Sequence, residues 1–143
     1  IKTEEHNERF NWTGQQLVLP TSLYLDDPET TVASIETEVS ISEYSSSRRK
    51  ARPELPVLDA ESITETAPGK WTPAFTFTNS TAEDLTDLRV GIVCYDAAET
   101  IIGGGSDYPG LAAAGKSIRI EPGLVKTSGQ PASCKAFPNY GYS

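Results

Sequence analysis

The stretch Leu85–Asp96, LTDLRVGIVCYD, decides the fold class. Leu88, Val90, Ile92 and Cys94 alternate with Arg89, Gly91, Val93 and Tyr95, so four apolar side chains share one face of a strand. The other face carries a charge, a glycine, a valine and a phenol, and is expected to be only partly covered. A strand of this kind points to the core of a β-sandwich.

Composition agrees with that reading. The 143 residues suffice for one mid-sized domain with a real core, or for parts of two. With 37% hydrophobic and 8% aromatic residues the core is modest, and ten prolines and eleven glycines suit short strands joined by turns. The net charge of -8 argues against nucleic acid and against anionic membrane surfaces as partners. The one basic run, Arg48-Arg49-Lys50-Ala51-Arg52 before Pro53, reads as a solvated linker. No apolar stretch approaches the roughly 20 residues of a membrane helix. The sequence contains no methionine, so Ile1 is not expected to be the native start and the chain reads as a piece of a longer protein.

Taken in order, residues 1–9 are polar, and Phe10, Trp12, Leu17, Leu19, Leu23 and Leu25 anchor one or two short strands. Ile35, Thr37, Val39 and Ile41 alternate with Glu36, Glu38, Ser40 and Ser42, which predicts a half-exposed strand with one acidic face. A new β pattern runs from Val57 to Thr66. Trp71, Phe75 and Phe77 then share a phase, and Pro73 suggests an edge position or a strand start. After Leu85–Asp96, a strand begun at Thr100 is expected to dissolve into Gly103-Gly104-Gly105. Strands follow around Ile118 and Ile120 and around Ala132, Cys134 and Ala136, before a Pro-Asn-Tyr-Gly-Tyr tail. Leu17-Val18-Leu19 with Leu23 mirrors Ile118-Arg119-Ile120 with Leu124, and Ala33-Ser34-Ile35 mirrors Ala132-Ser133-Cys134. The first segment is therefore expected to hold the last strands of an upstream copy.

Cys94 and Cys134 are even in number, lack CxxC spacing and fall on the apolar phase of predicted strands. They are expected to form a disulfide, which implies an oxidising compartment; two buried free thiols are the alternative. Gly110 to Ser117 satisfies the P-loop pattern GxxxxGK[ST]. However, the residues after it alternate with period two and end in Pro122-Gly123, so a turn leading into a strand is expected instead. Carboxylates cluster at Glu83, Asp84 and Asp87, the best calcium candidates, though they match no EF-hand loop and suit a solvated turn. The single histidine, His6, lies in a charged terminal segment, too poorly placed for a nucleophilic triad or zinc. Asn11-Trp12-Thr13 and Asn79-Ser80-Thr81 are glycosylation sequons if the source is eukaryotic. Trp12, Trp71, Tyr108, Tyr140 and Tyr142 would form a sugar platform only if exposed; buried rings are the expectation.

From about Leu55 to Tyr140 the chain resembles the FxLYD-type immunoglobulin-like domains of bacterial cell-envelope lipoproteins. The likeness rests on Asn79-Ser80-Thr81 after an aromatic strand, on Leu88 to Asp96, on the Ile-Ile-Gly strand, on the Gly115-Lys116-Ser117 turn and on the closing strand from Pro131 to Phe137. Where that family carries Phe-x-Leu-Tyr-Asp, this chain has Ile92-Val93-Cys94-Tyr95-Asp96, agreeing in the last two residues. The resemblance implies a β-sandwich at the cell surface, often in tandem, with no catalytic residues to transfer.

The sequence reading is thus an all-β, immunoglobulin-like antiparallel β-sandwich over residues 55–143. Residues 1–52 are expected to be the trailing strands of a similar upstream domain plus a linker. The expected role is a non-catalytic extracytoplasmic module, a spacer or protein-interaction domain of a cell-surface lipoprotein. It would need no cofactor or metal, would meet a protein or cell-wall partner, and would reach the membrane only through an upstream lipid anchor. A carbohydrate- or calcium-binding accessory module is the alternative.

Overall fold

The computed structural model describes residues 3–21, 26–27, 29–41 and 51–141. Among these, strands are the one regular element: β1 Leu58–Asp59, β2 Ser62–Ala67, β3 Lys70–Thr78, β4 Leu85–Tyr95, β5 Ile101–Ala112, β6 Ser117–Ile120, β7 Lys126–Thr127 and β8 Ser133–Asn139. They form a five-stranded antiparallel sheet, β1-β8-β4-β5-β7, and a three-stranded antiparallel sheet, β2-β3-β6. The two layers make the expected immunoglobulin-like sandwich. Its core joins Phe75 and Phe77 of β3 and Ile120 of β6 to Leu88, Val90, Ile92 and Cys94 of β4. Each fully buried aliphatic or phenyl side chain here contributes on the order of 1.5–3 kcal/mol.

Leu85–Tyr95 is the central strand of the larger sheet, paired to β5 on one side and β8 on the other. Cys94 lies directly opposite Cys134, and the two form the disulfide, with Cα atoms 4.1 Å apart. The bridge joins neighbouring strands of one sheet. In antibody domains the corresponding bridge crosses between the sheets.

Three local expectations are revised, and that for Pro73 is refined. The pattern from Val57 to Thr66 is two strands in different sheets, because the Ala60 amide donates to the Cys134 carbonyl (3.0 Å) and the next amide, Glu61, to Ala74 (2.8 Å). The chain changes layer between adjacent residues. Gly103-Gly104-Gly105 does not end a strand; β5 runs straight through it. A Cβ at Gly103 or Gly105 would collide with the Lys126 or Leu124 carbonyl oxygen, so bare backbone lets the 124–127 segment lie close. Strand β3 is central in its sheet, yet β6 pairs only with Phe75–Thr78, so at Pro73 it has a neighbour on one side alone. Pro138 follows the same rule: it prolongs β8 to Asn139, where β4 is the neighbour and β1 has already ended. Finally, residues 29–41 and Leu17–Leu19 form no strand, having no hydrogen-bonded neighbour strand among the described residues. Leu23, Leu25, the basic residues 48–50 and Tyr142 lie outside the described residues.

Candidate functional site: the strapped face of the larger sheet

The outer face of β4 is where polar side chains, aromatic rings and a concave surface meet. Arg89, Gly91, Val93 and Tyr95 line it, and Gly91 lies beside Phe137 of β8. Residues 6–20 cross this face as a strap without regular structure. Val18 sits directly over Gly91: a Cβ there would be 2.9 Å from Val18 Cβ and 3.0 Å from its carbonyl oxygen. The strap therefore requires the glycine.

Asn139, buried at the end of β8, holds the strap's first half. Its Oδ1 accepts from Asn11 Nδ2 and Gln15 Nε2, both at 2.8 Å, while its Nδ2 donates to the Arg9 carbonyl (3.1 Å) and Glu8 Oε1 (3.3 Å). Glu8 also pairs with Arg89 at 3.5 Å. Beside this cluster, Trp12 meets Tyr140 edge to face, with centroids 6.1 Å apart, and the Arg52 guanidinium lies 3.8 Å above the Tyr140 ring. The Tyr140 hydroxyl donates to the Pro53 carbonyl, and the Arg52 amide to the Asn11 carbonyl (2.8 Å). Burial pushes the Tyr140 phenol above its ordinary value of 10.0, with Arg52 pulling the other way and Glu83 adding to the rise. Between strap and sheet lies a small cavity of about 110 Å³, lined by His6, Leu17, Arg89, Ser106, Tyr108 and Phe137 among others.

The sequence-derived candidates are scattered. His6 is exposed at the cavity mouth. Glu83, Asp84 and Asp87 do not converge; among the described residues no three His, Cys, Asp or Glu side chains form a group able to hold a metal. Asp84 instead accepts the Ala114 amide (2.8 Å), closing the turn before β6, and Asp87 packs on Gly141. Gly110 to Ser117 finishes β5, turns and enters β6, as its alternation predicted. Both sequon asparagines serve the fold. Asn79 is fully buried, its Nδ2 donating to the Ala112 (2.7 Å) and Glu83 (2.8 Å) carbonyls, and the Asn11 amide group is engaged by Arg9 and Asn139. Trp71 is half-buried at the start of β3 and Trp12 is in the strap cluster, so among the described residues the aromatic rings form no shared flat platform.

The strap and its Asn139 hub escaped the sequence reading. Asn139 looked like part of a turn-rich tail, and nothing in the local pattern couples it to residues 8–15.

The geometry defines an all-β sandwich with a covalent tie inside one sheet and an irregular strap across that sheet's outer face. Comparison with protein-family models, curated proteins and solved structures returns no match of significance.

Proposed function

We propose that this chain is a non-catalytic extracytoplasmic module of a cell-surface lipoprotein, of the FxLYD immunoglobulin-like class, acting in spacing or in protein–protein contact. One observation carries the reading. Cys94 and Cys134 are bridged, in register, between the central strand and its neighbour, both at most 1% exposed. A bridge at the centre of the core is an asset where thiols oxidise, and is rarely kept in a reducing cytosol. Asp96 lends support at the end of the Tyr95-Asp96 pair: its Oδ1 accepts the Ala98 (2.9 Å) and Thr100 (3.0 Å) amides and so fixes the β4–β5 hairpin. An aspartate at this position has a structural purpose and needs no catalytic one.

The test is the thiol state in the native host. Protein trapped with acid, unfolded and exposed to a maleimide of high mass should show no modification without reductant and two additions after reduction. Two additions without reductant would overturn the extracytoplasmic assignment.

A further inference from the structure

Every described residue from 29 to 41 is exposed, including Ile35 (74%), Val39 (85%) and Ile41 (79%). Thr37 shares their phase, and Glu36, Glu38 and Ser40 take the other. This segment has a strand's pattern without a sheet, and its exposed backbone donors and acceptors, solvated in the single chain, are open to pairing with a second strand. The edges of the sandwich differ in their fitness to supply one. Strand β2 carries Glu65 in the phase of half-buried Ile63, a charge that guards an edge. Strands β1 and β7 are two residues each, and the outer stretch of β5 contains Asp107 and the donor-less Pro109. Strand β6 remains. Ile118 is half-buried at the core's margin, Ile120 is buried, and Arg119 is half-exposed on the outward side. Among the described residues its sheet has three strands, whereas the corresponding immunoglobulin sheet has four, the fourth lying beside the strand equivalent to β6.

We propose that residues 35–41 of one copy of this chain add as a strand to the edge of β6 left unpaired among the described residues in a second copy, reciprocally, to form a two-fold dimer. Ile35, Thr37 and Val39 then extend the apolar phase of Ile118 and Ile120, and Glu36 or Glu38 faces Arg119. Arg119 already meets Glu121 at 2.8 Å and Glu61 at 3.5 Å, so this charge contact adds little, and the apolar phase sets the register. Within one chain the segment stands clear of the sandwich, while the stretch from 41 to the anchored Arg52 allows a reach of up to about 40 Å toward another copy. Two such additions bury an area on the order of the 1,200–2,000 Å² of a specific interface, and the two-fold relation closes the assembly. This inference names a partner for the contact role proposed above and rests on it. Thiol state tests that role's compartment and strand pairing tests the partner, so the two fail separately.

Sedimentation equilibrium of the full chain from micromolar to millimolar concentration should show a monomer–dimer equilibrium. Amides of residues 35–41 and 117–120 should gain hydrogen-exchange protection together as dimer forms. Val39→Pro, at an exposed position, should weaken dimerisation on the order of tenfold or more, with thermal unfolding of the dilute monomer unchanged. A Glu38→Cys chain mixed with an Arg119→Cys chain should give a crosslinked heterodimer. A monomer at every concentration, protection of 35–41 independent of concentration, or a dimer indifferent to Val39→Pro would each overturn the proposal.

Discussion

Replacing Gly91 by alanine should have opposite effects with and without Val18. A glycine within a strand costs roughly 0.5–1 kcal/mol relative to alanine, so on an open sheet face Gly91→Ala stabilises by about that amount. Here the new Cβ would stand 2.9 Å from Val18 Cβ, 3.0 Å from Val18 Cγ1 and 3.0 Å from the Val18 carbonyl oxygen. Contacts that short require the strap to shift, and overpacking of this kind costs about 1–3 kcal/mol. The net expectation is a loss of up to about 2.5 kcal/mol, the overpacking cost less the glycine gain. In a Val18→Gly background two of the three contacts vanish, and the same substitution should become neutral or stabilising. Urea unfolding followed by tryptophan fluorescence gives all four free energies of the cycle, and Trp12 in the strap reports displacement directly. If Gly91→Ala stabilises the full chain while Val18 is present, the strap does not lie where the structure puts it.

Replacing both Cys94 and Cys134 by alanine should cost about 2–4 kcal/mol in urea unfolding, and reductant should have no further effect on that variant. Asn79→Ala leaves the Ala112 and Glu83 carbonyls without their side-chain donor, for a loss of about 1–3 kcal/mol read from the thermal midpoint. Glu99 holds a φ of 61°, so Glu99→Gly should gain up to about 1 kcal/mol by relieving the left-handed conformation. For Tyr140 the folded phenol titrates above its unfolded value of 10.0, so its contribution is fully present below pH 10.0 and is lost as pH rises through the folded value. Urea midpoints from neutral to strongly alkaline pH should therefore fall more steeply for the native chain than for Tyr140→Phe.

The strand phases of Leu85–Asp96 and of Phe75 and Phe77 were legible because alternation depends on one residue and its near neighbours. The inward phase of both cysteines was legible for the same reason, whereas their meeting depends on β4 and β8 being neighbours in one sheet. The continuity of β5 through three glycines was hidden, because local propensity says turn and the close passage of residues 124–127 says strand. Pro138 misled, since a proline is costly only where a neighbour needs its N–H and one-sided pairing there is a property of the sheet, while Pro73 has the one-sided pairing that an edge position implies. The strap is the clearest loss. Val18 over Gly91 and Asn139 with Asn11 are contacts between residues far apart in sequence, and no pattern within either segment encodes the other.

The bridge between Cys94 and Cys134 has a mechanical consequence. In the spacing role proposed above the module would carry tension along its chain, and tension applied at both ends of a sandwich peels its strands apart. Here the covalent tie shunts that load from β4 directly to β8, past the 40 positions separating the two cysteines. At about 3.6 Å per residue, on the order of 140 Å of contour length is locked behind the bridge and cannot be paid out while it is intact. Reduction under load would release that slack in one step. The disulfide therefore limits how far the chain can stretch, in addition to stabilising the fold.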